Sequence, residues 1–402
     1  MSELFYPHGG GAELATYLYA RLLSERDFKV AVVTNKFNNE PSVWKARNLV
    51  IYRLPLFNSI RSVKFSILRR MDVLLSSLIR ELVKWADIVY IPRFWYGAVV
   101  LAKAYGKPAV VHLHDYTLVC PLANLFDMTK GISHCRKSFL CSQGCIYAYE
   151  KVNNRSFKEL LESMLLNSTL GKLYSKVIFF SDAVVCVSYA QRDLLLQNST
   201  VLPSKVHVVY NPLPEQVEVN LTSQTEDFGY FGGPSYLKGF HVLFKAAALV
   251  KKVKSIKIHA TKFSGVTKKS YLLRKLGIIT YGKLDGRSYR KLYTELRAII
   301  VPSIWEEPLP YVVSEALINK KIVIASRVGG IPEQVSGCKG AFLIKAGDHR
   351  ALAEKILHVT SLSDEEAHDL GAKNREFILK KFSNEKIADQ FSSLLEKLST
   401  KG

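Results

Sequence analysis

The chain has 402 residues, of which 48% are hydrophobic and 23% charged, and its formal net charge is +21. That length supports two domains with full cores, and the composition is that of a folded globular protein, not a disordered one. No apolar run approaches the roughly 20 residues of a membrane span, because the best stretch, Ile88 to Leu113, is broken by Arg93, Lys103 and Lys107. The charge divides evenly, +11 over residues 1–213 and +10 over residues 214–402. An even split argues against a nucleic-acid domain or a basic tail, and for anionic small molecules and an anionic membrane surface as partners. Pro7 and the glycines Gly9 to Gly11 interrupt the N-terminus, so no secretory signal is read there. The expected location is the cytoplasm, with peripheral contact at the inner membrane face as a second element.

In chain order, Tyr6-Pro7-His8-Gly9-Gly10-Gly11-Ala12-Glu13 places three consecutive glycines near the N-terminus. Strands are predicted at Lys29–Thr34, Leu49–Leu54, Ile88–Ile91, Ala109–Leu113, Ala183–Val187 and Val206–Tyr210. Their near-continuous Val and Ile content suits strands buried on both faces of a parallel sheet. Residues Tyr52–Trp85 carry seven basic and two acidic groups among apolar ones, which reads either as a lipid-facing surface or as a packed helix with a solvated basic face. His114-Asp115 ends a strand at the carboxyl edge, where ligands bind in such sheets, whereas His112 is assigned to the opposite face with a structural role. Cys120, Cys135, Cys141 and Cys145 cluster beside His134. A metal site and buried thiols are both open readings; the lack of a Cys-x2-Cys pair favours thiols.

Pro212-Leu213-Pro214-Glu215 and the polar stretch up to Asp227 form the best domain boundary. Beyond it, strands are predicted at Phe228–Phe231, Ile256–Ala260, Ile278–Tyr281, Ala298–Val301, Ile322–Ala325 and Gly340–Ile344, with closing helices at Ala351–Val359 and Asn384–Leu398. The segment from Val301 to Leu317 places two carboxylates, Glu307 and Glu315, eight positions apart across a strand-to-helix junction. Pro310 suits the first turn of that helix, whose N-terminal amides favour a phosphate.

This Glu-x7-Glu segment resembles the signature of the retaining family 4 glycosyltransferases. Four further blocks are similar to the same family, in the same order. They are the loop Tyr6–Glu13; Asp182–Ser188 with Val208–Pro212; Tyr230-Phe231-Gly232-Gly233 through Lys238-Gly239; and Val328–Glu333. The resemblance implies an α/β GT-B fold of two Rossmann-like domains facing across a cleft. An N-terminal acceptor-side domain would span residues 1–213 and a donor domain residues 214–383, with a C-terminal helix over 384–402 crossing back to the first. It implies a metal-independent, retaining transfer of a hexose-type sugar from a nucleoside diphosphate sugar, with no cofactor beyond that co-substrate. The net charge points to a surface polysaccharide, a glycolipid or a lipid-linked saccharide as acceptor, and no basic-aromatic patch or motif points to nucleic acid.

The resemblance also assigns roles. Glu307 would hold sugar hydroxyls, Glu315 the ribose, and His114 the transferred sugar. Lys238, with Gly10 and Gly11, would neutralise the departing diphosphate, and Gly232, Gly233, Leu309, Tyr311 and Val312 would supply backbone around the donor. No Asp-x-Asp occurs in the chain, so cationic side chains and helix N-termini carry that neutralisation. Two positions depart from the family pattern: Gly233 stands where an arginine is usual, and Pro310 where a glycine is usual. Lys262 or Lys283 is the expected replacement cation. Only Ser2-Glu3-Leu4-Phe5 follows Met1 before Tyr6, so the central first strand is expected to be missing and the natural chain to start upstream. The departures keep two other readings open, a non-catalytic donor- or lipid-binding subunit and an epimerase or phosphorylase of the same fold.

Overall fold

Runs of Val and Ile too short for helices and bounded by polar turns form thirteen strands in the computed structural model, which describes residues 1–37, 39–57, 74, 76–131, 142–153, 156–215, 225–263 and 268–400. The chain divides into two units, Met1–Pro212 with Asn384–Gly402, and Leu213–Ser383.

In the first unit, β1 (Val30–Asn35), β2 (Val43–Ala46) and β3 (Leu49–Leu54) form a sheet in the order β1-β3-β2. β3 is parallel to β1, with Val30 opposite Leu49, and antiparallel to β2. A second sheet holds β4 (Val89–Ile91), β5 (Ala109–Leu113), β6 (Ala183–Cys186) and β7 (Val206–Val208), all parallel and in that order. The helices are α1 (Gly11–Ser24), α2 (Ser77–Trp85), α3 (Ala98–Ala104), α4 (Ser142–Val152), α5 (Phe157–Phe180) and α6 (Tyr189–Asn198). Ser188 starts α6 as a side-chain N-cap, accepting from the Gln191 amide.

The second unit is one parallel sheet of β8 (Phe228–Tyr230), β9 (Ile258–Ala260), β10 (Ile278–Thr280), β11 (Ala298–Val301), β12 (Ile322–Ser326) and β13 (Ala341–Ile344), in the order β10-β9-β8-β11-β12-β13. Its helices are α7 (Phe240–Val250), α8 (Lys268–Lys275), α9 (Gly286–Glu295), α10 (Tyr311–Ile318), α11 (Ile331–Val335), α12 (His349–Ser361) and α13 (Asp364–Lys381). Strand order reverses between β8 and β11, so the loops leaving their carboxyl ends border the crevice where open α/β sheets bind ligands.

The last helix, α14 (Asn384–Ser399), belongs to the first unit. Its Phe391 ring lies 4.8 Å from that of Tyr19, 5.4 Å from Tyr90 and 6.0 Å from His112. Asp389 pairs with Arg26 of the loop after α1 at 3.0 Å.

The first unit differs from a continuous doubly wound sheet at one place. β1 and β4 are both end strands, and they do not pair with each other. Residues 1–3 bridge them at one end only. The Ser2 amide donates to Val33 O (3.0 Å), the Asn35 amide to Glu3 O (3.4 Å), and the Met1 ammonium to Tyr90 O (2.7 Å). A cavity of about 680 Å³ lies alongside, lined by Val30–Val33, Ile88–Tyr90 and side chains of α1, α2 and α14.

β2 was absent from the sequence reading because its four residues are all exposed and carry no burial pattern. Of the basic-apolar stretch Tyr52–Trp85, residues 58–73 and 75 lie outside the described residues, as do His134, Cys135 and Cys141. No helix among the described residues is long and apolar enough to cross a membrane.

Candidate active site

Glu307 sits in the loop after β11 and is 3% exposed, so its charge needs partners. Its Oε1 accepts from Lys238 Nζ (2.6 Å), Ser303 Oγ (2.7 Å) and Trp305 Nε1 (2.9 Å). All three of these contacts fall on the same carboxylate oxygen. Lys238 also lies 5.2 Å from the centroid of the Trp305 ring, a cation–π distance.

Backbone contacts hold this loop. The Gly330 amide donates to Glu307 O (2.8 Å) and the Gly329 amide to Glu306 Oε2 (2.7 Å). Gly329 has φ +51, and a Cβ there would stand 2.0 Å from Glu307 O, so only glycine fits. The loop after β8 is held in the same way. The Ile304 amide donates to Leu237 O (2.9 Å), and a Cβ on Gly239, φ +76, would stand 1.8 Å from Pro302 O. Lys238 thus reaches Glu307 from a loop pressed against the one that carries it.

Glu315 lies on α10. Pro310 is the N-cap of that helix and not part of its first turn, because its ψ of 126° is extended; no side chain caps this end. Val312 is half-buried behind the buried Tyr311 and Leu309. Gln334 of α11 braces the same end, donating to Ser314 Oγ (2.8 Å) and Pro310 O (3.3 Å). Tyr289 of α9 donates its hydroxyl to Glu315 Oε2 (2.8 Å). Burial pushes the Glu315 carboxyl above its ordinary value, against the Tyr289 hydrogen bond and Lys262, which lower it. The Tyr289 ring packs at a tilt against Phe231 (5.2 Å) and Tyr293 (5.4 Å).

The second cation is Lys262. A Cβ on Gly233, itself at φ +66, would stand 3.3 Å from Lys262 Cβ and 3.4 Å from its carbonyl oxygen. The lysine therefore occupies the space beside the departed arginine position. Its own φ is +67, an uncommon conformation for a side-chain-bearing residue that is often kept at functional sites. Desolvation, then Lys238 and Lys283, lower its pKa, while Glu315 acts in the opposite sense. Gly232 lies against Tyr230, whose hydroxyl a Cβ would meet at 2.4 Å.

In the first unit, the Gly10 amide is already engaged. It donates to Glu13 Oε2 (2.6 Å), and Glu13 Oε1 is bonded by Arg93, which also lies 3.5 Å from Glu3. In this structure the Gly10 N–H is taken by a carboxylate fixed in the first turn of α1. Gly11 opens that helix and is exposed.

His112 and His114 are on one face, with rings stacked 4.6 Å apart. The assignment of His112 to the opposite face is corrected, since positions two apart along a strand share a side. His112 Nδ1 meets the Tyr90 hydroxyl at 2.9 Å, and burial followed by His114 pushes its pKa well down. Burial and then Arg93 lower His114 to about 3, so it is neutral at pH 7, and its Nε2 has no partner among the described residues. Cys145 Sγ accepts from the Met128 amide (3.3 Å) and donates to Phe126 O (3.6 Å), as a buried structural thiol does. Among the described residues no group of three metal-ligating side chains comes together.

Ser303 and Trp305 stand within the segment read first in the sequence, yet nothing in their spacing marked them as partners of Glu307. Tyr289 had no sequence signal, because its link to Glu315 runs between two helices 26 positions apart.

Residues 9–216 match the model of Glycosyltransferase Family 4, and residues 215–377 match that of glycosyl transferases group 1. An uncharacterised 42.6 kDa protein in the cps region of Klebsiella pneumoniae is 25% identical over 338 residues, 83% of this chain and 86% of that one. Sucrose-phosphate synthase from Thermosynechococcus elongatus superimposes with a TM-score of 0.68 at 15% identity, covering 98% of this chain and 95% of the other. Anabaena Alr3699/HepE in complex with UDP-glucose gives a TM-score of 0.62 at 17% identity over 98% of both chains.

Proposed function

Because the chain belongs to glycosyltransferase family 4, we propose that it moves a hexose-type sugar from a nucleoside diphosphate sugar to an acceptor hydroxyl and keeps the α-linkage. The observation that carries this reading is the set of two lysines and two carboxylates, Lys238, Lys262, Glu307 and Glu315, gathered where the strand order of one parallel sheet reverses. Such a set suits a diphosphate flanked by a sugar and a ribose.

The chemistry assigned to each residue follows from its partners. Oε2 of Glu307 takes the sugar hydroxyls, while Oε1 stays with Lys238, Ser303 and Trp305. Glu315, steadied by Tyr289, takes the ribose. The N-terminal end of α10 and the two lysines draw charge onto the leaving diphosphate. The sugar C1–O bond to phosphate breaks as the acceptor oxygen joins C1 on the same face, and the acceptor proton passes to the departing phosphate oxygen. Neutral His114, with a ring nitrogen lacking a partner among the described residues, fits the role of a hydrogen-bond donor to the sugar. Lysine charge stands in for a metal, so chelation by EDTA is expected to leave the rate unchanged. The acceptor class proposed is a surface polysaccharide, a glycolipid or a lipid-linked glycan at a membrane face.

Thermal unfolding with UDP, GDP, ADP and their sugars tests the donor half without knowledge of the acceptor. A ligand at ~100 times its Kd adds roughly 2.7 kcal/mol. UDP-glucose, the ligand bound in the Anabaena structure, is the first to try. A shift with one nucleotide class, lost in Glu315→Ala, is expected; no shift with any of them would overturn the reading in favour of a non-catalytic role.

A further inference from the structure

Lys321 is a buried lysine that the transfer chemistry above does not use. It stands between the end of α10 and the start of β12 and is 0% exposed. An ammonium taken out of water is costly unless a partner accepts from it. The acceptor here is Thr294 O in the last turn of α9, 2.9 Å from Nζ. A positive charge gains from the dipole at the carboxyl end of a helix, which accounts for a lysine where an apolar side chain would otherwise fit.

The helix it reaches is thinly held. Of the ten residues of α9 only Leu292 and Tyr293 are buried, whereas 286–288, 290 and 291 are exposed. Its inward stripe is a single turn, Tyr289 with Leu292 and Tyr293, so polar ties decide where it stands. Two of them join α9 to the segment that carries Glu315. The Tyr289 hydroxyl donates to Glu315 Oε2 (2.8 Å), and Lys321 Nζ donates to Thr294 O at the far end. The Lys321 main chain is itself fixed, its amide donating to Ala316 O of α10 (2.8 Å) and its carbonyl accepting from Asn374 Nδ2 of α13 (3.1 Å). Thr225 takes the next carbonyl, Glu295 O, at 3.0 Å from its amide and 2.7 Å from its hydroxyl. That tie joins α9 to the segment before β8, so Lys321 is the one that sets α9 against α10.

We propose that Lys321 is a positioning residue of the donor site, clasping the carboxyl end of α9 so that Tyr289 meets Glu315. This role rests on Glu315 taking the ribose, as proposed above. Burial raises the Glu315 carboxyl, and the Tyr289 hydrogen bond and Lys262 act against that rise; Tyr293 of α9 faces the same carboxyl. Without the clasp Tyr289 loosens, the carboxyl takes up a proton at higher pH, and it accepts less well from sugar hydroxyls. Burial alone lowers Lys321 to about 8, so the clasp weakens as pH rises through that value and the ammonium is lost.

The test compares the wild-type chain with Lys321→Met, Tyr289→Phe and the double variant. In the ligand-free protein the Glu315 carboxyl is titrated by 13C NMR. Its midpoint is expected to move to higher pH in each single variant and no further in the double. A wild-type midpoint in Lys321→Met, or shifts that add, would overturn the proposal. By calorimetry, affinity for UDP is expected to fall about tenfold in each single variant and no further in the double. The affinity for 2′,3′-dideoxy-UDP, which lacks the hydroxyls assigned to Glu315, should change by less than about twofold. Equal losses for the two ligands would overturn the proposal. The wild-type protein supplies a test that needs no substitution: its affinity for UDP should fall about fivefold between about pH 7 and pH 9, and a flat profile would count against the clasp. The two readings fail separately. A wild-type chain that binds no nucleotide, with the Glu315 shift in Lys321→Met intact, removes the donor reading and leaves the clasp; an unmoved Glu315 removes the clasp whether or not nucleotide binds.

Discussion

The two units bury parallel sheets between helices with different completeness. In the second, six strands pair without interruption, and both loops at the reversal of strand order are pressed together to within backbone contact. In the first, two sheets stand apart, and the segment that links them is fastened by an ion cluster, with Arg93 between Glu3 and Glu13. The contrast teaches that geometry at a site comes from different sources in the two units. In one it is carried by glycines that allow main chain to touch main chain. In the other it is carried by buried charge and by stacked histidines whose protonation is suppressed.

The largest expected effect lies on the glycine-built side. Glu307→Gln removes the charge that holds Lys238 and should lower kcat by about a hundredfold, near 3 kcal/mol, with circular dichroism and nucleotide binding retained; a wild-type rate in a product assay would remove Glu307 from the site. Next comes a matched pair of glycine variants. Gly329→Ala meets Glu307 O and should cost about 3 kcal/mol in stability, whereas Gly106→Ala, at φ +66 with nothing within 4 Å, should cost only about 1. Equal melting temperatures for the two variants would show that main-chain contact is not what distinguishes the second unit.

A smaller effect is expected from Lys262→Ala. The loss of one charged hydrogen bond to a diphosphate is about 2 kcal/mol, or about thirtyfold in nucleotide affinity by titration, and Lys262→Arg should recover most of it. Unchanged affinity would leave Lys238 as the sole cation of the pair. The smallest effect belongs to the first unit. His112 and His114 have depressed pKa values when folded, so below about pH 6.5 the unfolded chain binds more protons than the folded one. Their contribution is complete above that pH and is lost as pH falls toward the folded value of about 3 for His114. His114→Gln should reduce the fall in Tm between pH 6.5 and pH 4 by about 2–4 °C; an unchanged slope would assign the acid sensitivity elsewhere.

Much of this contrast was legible in the residues. Strands such as Ala298–Val301 and Ala109–Leu113 carry unbroken apolar runs that only a doubly covered sheet accommodates. Glu307, Glu315 and Lys238 stood out because the blocks around them resemble a known family in sequence order. Of the two lysines named for the cation missing beside Gly233, Lys262 packs against that glycine, and only the fold shows why glycine stands there. Three features were not legible. Tyr289 meets Glu315 through tertiary packing that no spacing encodes. Gly10 donates its N–H to Glu13 three residues on, a pairing that the glycine run does not announce. His112 was placed on the wrong face by neglecting that strand neighbours two apart lie together.

Gly329 and Gly239 have a practical consequence for genetics. A screen for lost activity reports positions, not contacts, and these two would score as strongly as Glu307 although neither has a side chain to offer a substrate. Suppressors of such alleles should then arise by shortening or loosening the opposing loop around Pro302 or Glu307, never by restoring a charge. The allele pattern of this site would separate residues that do chemistry from residues whose contribution is to be small.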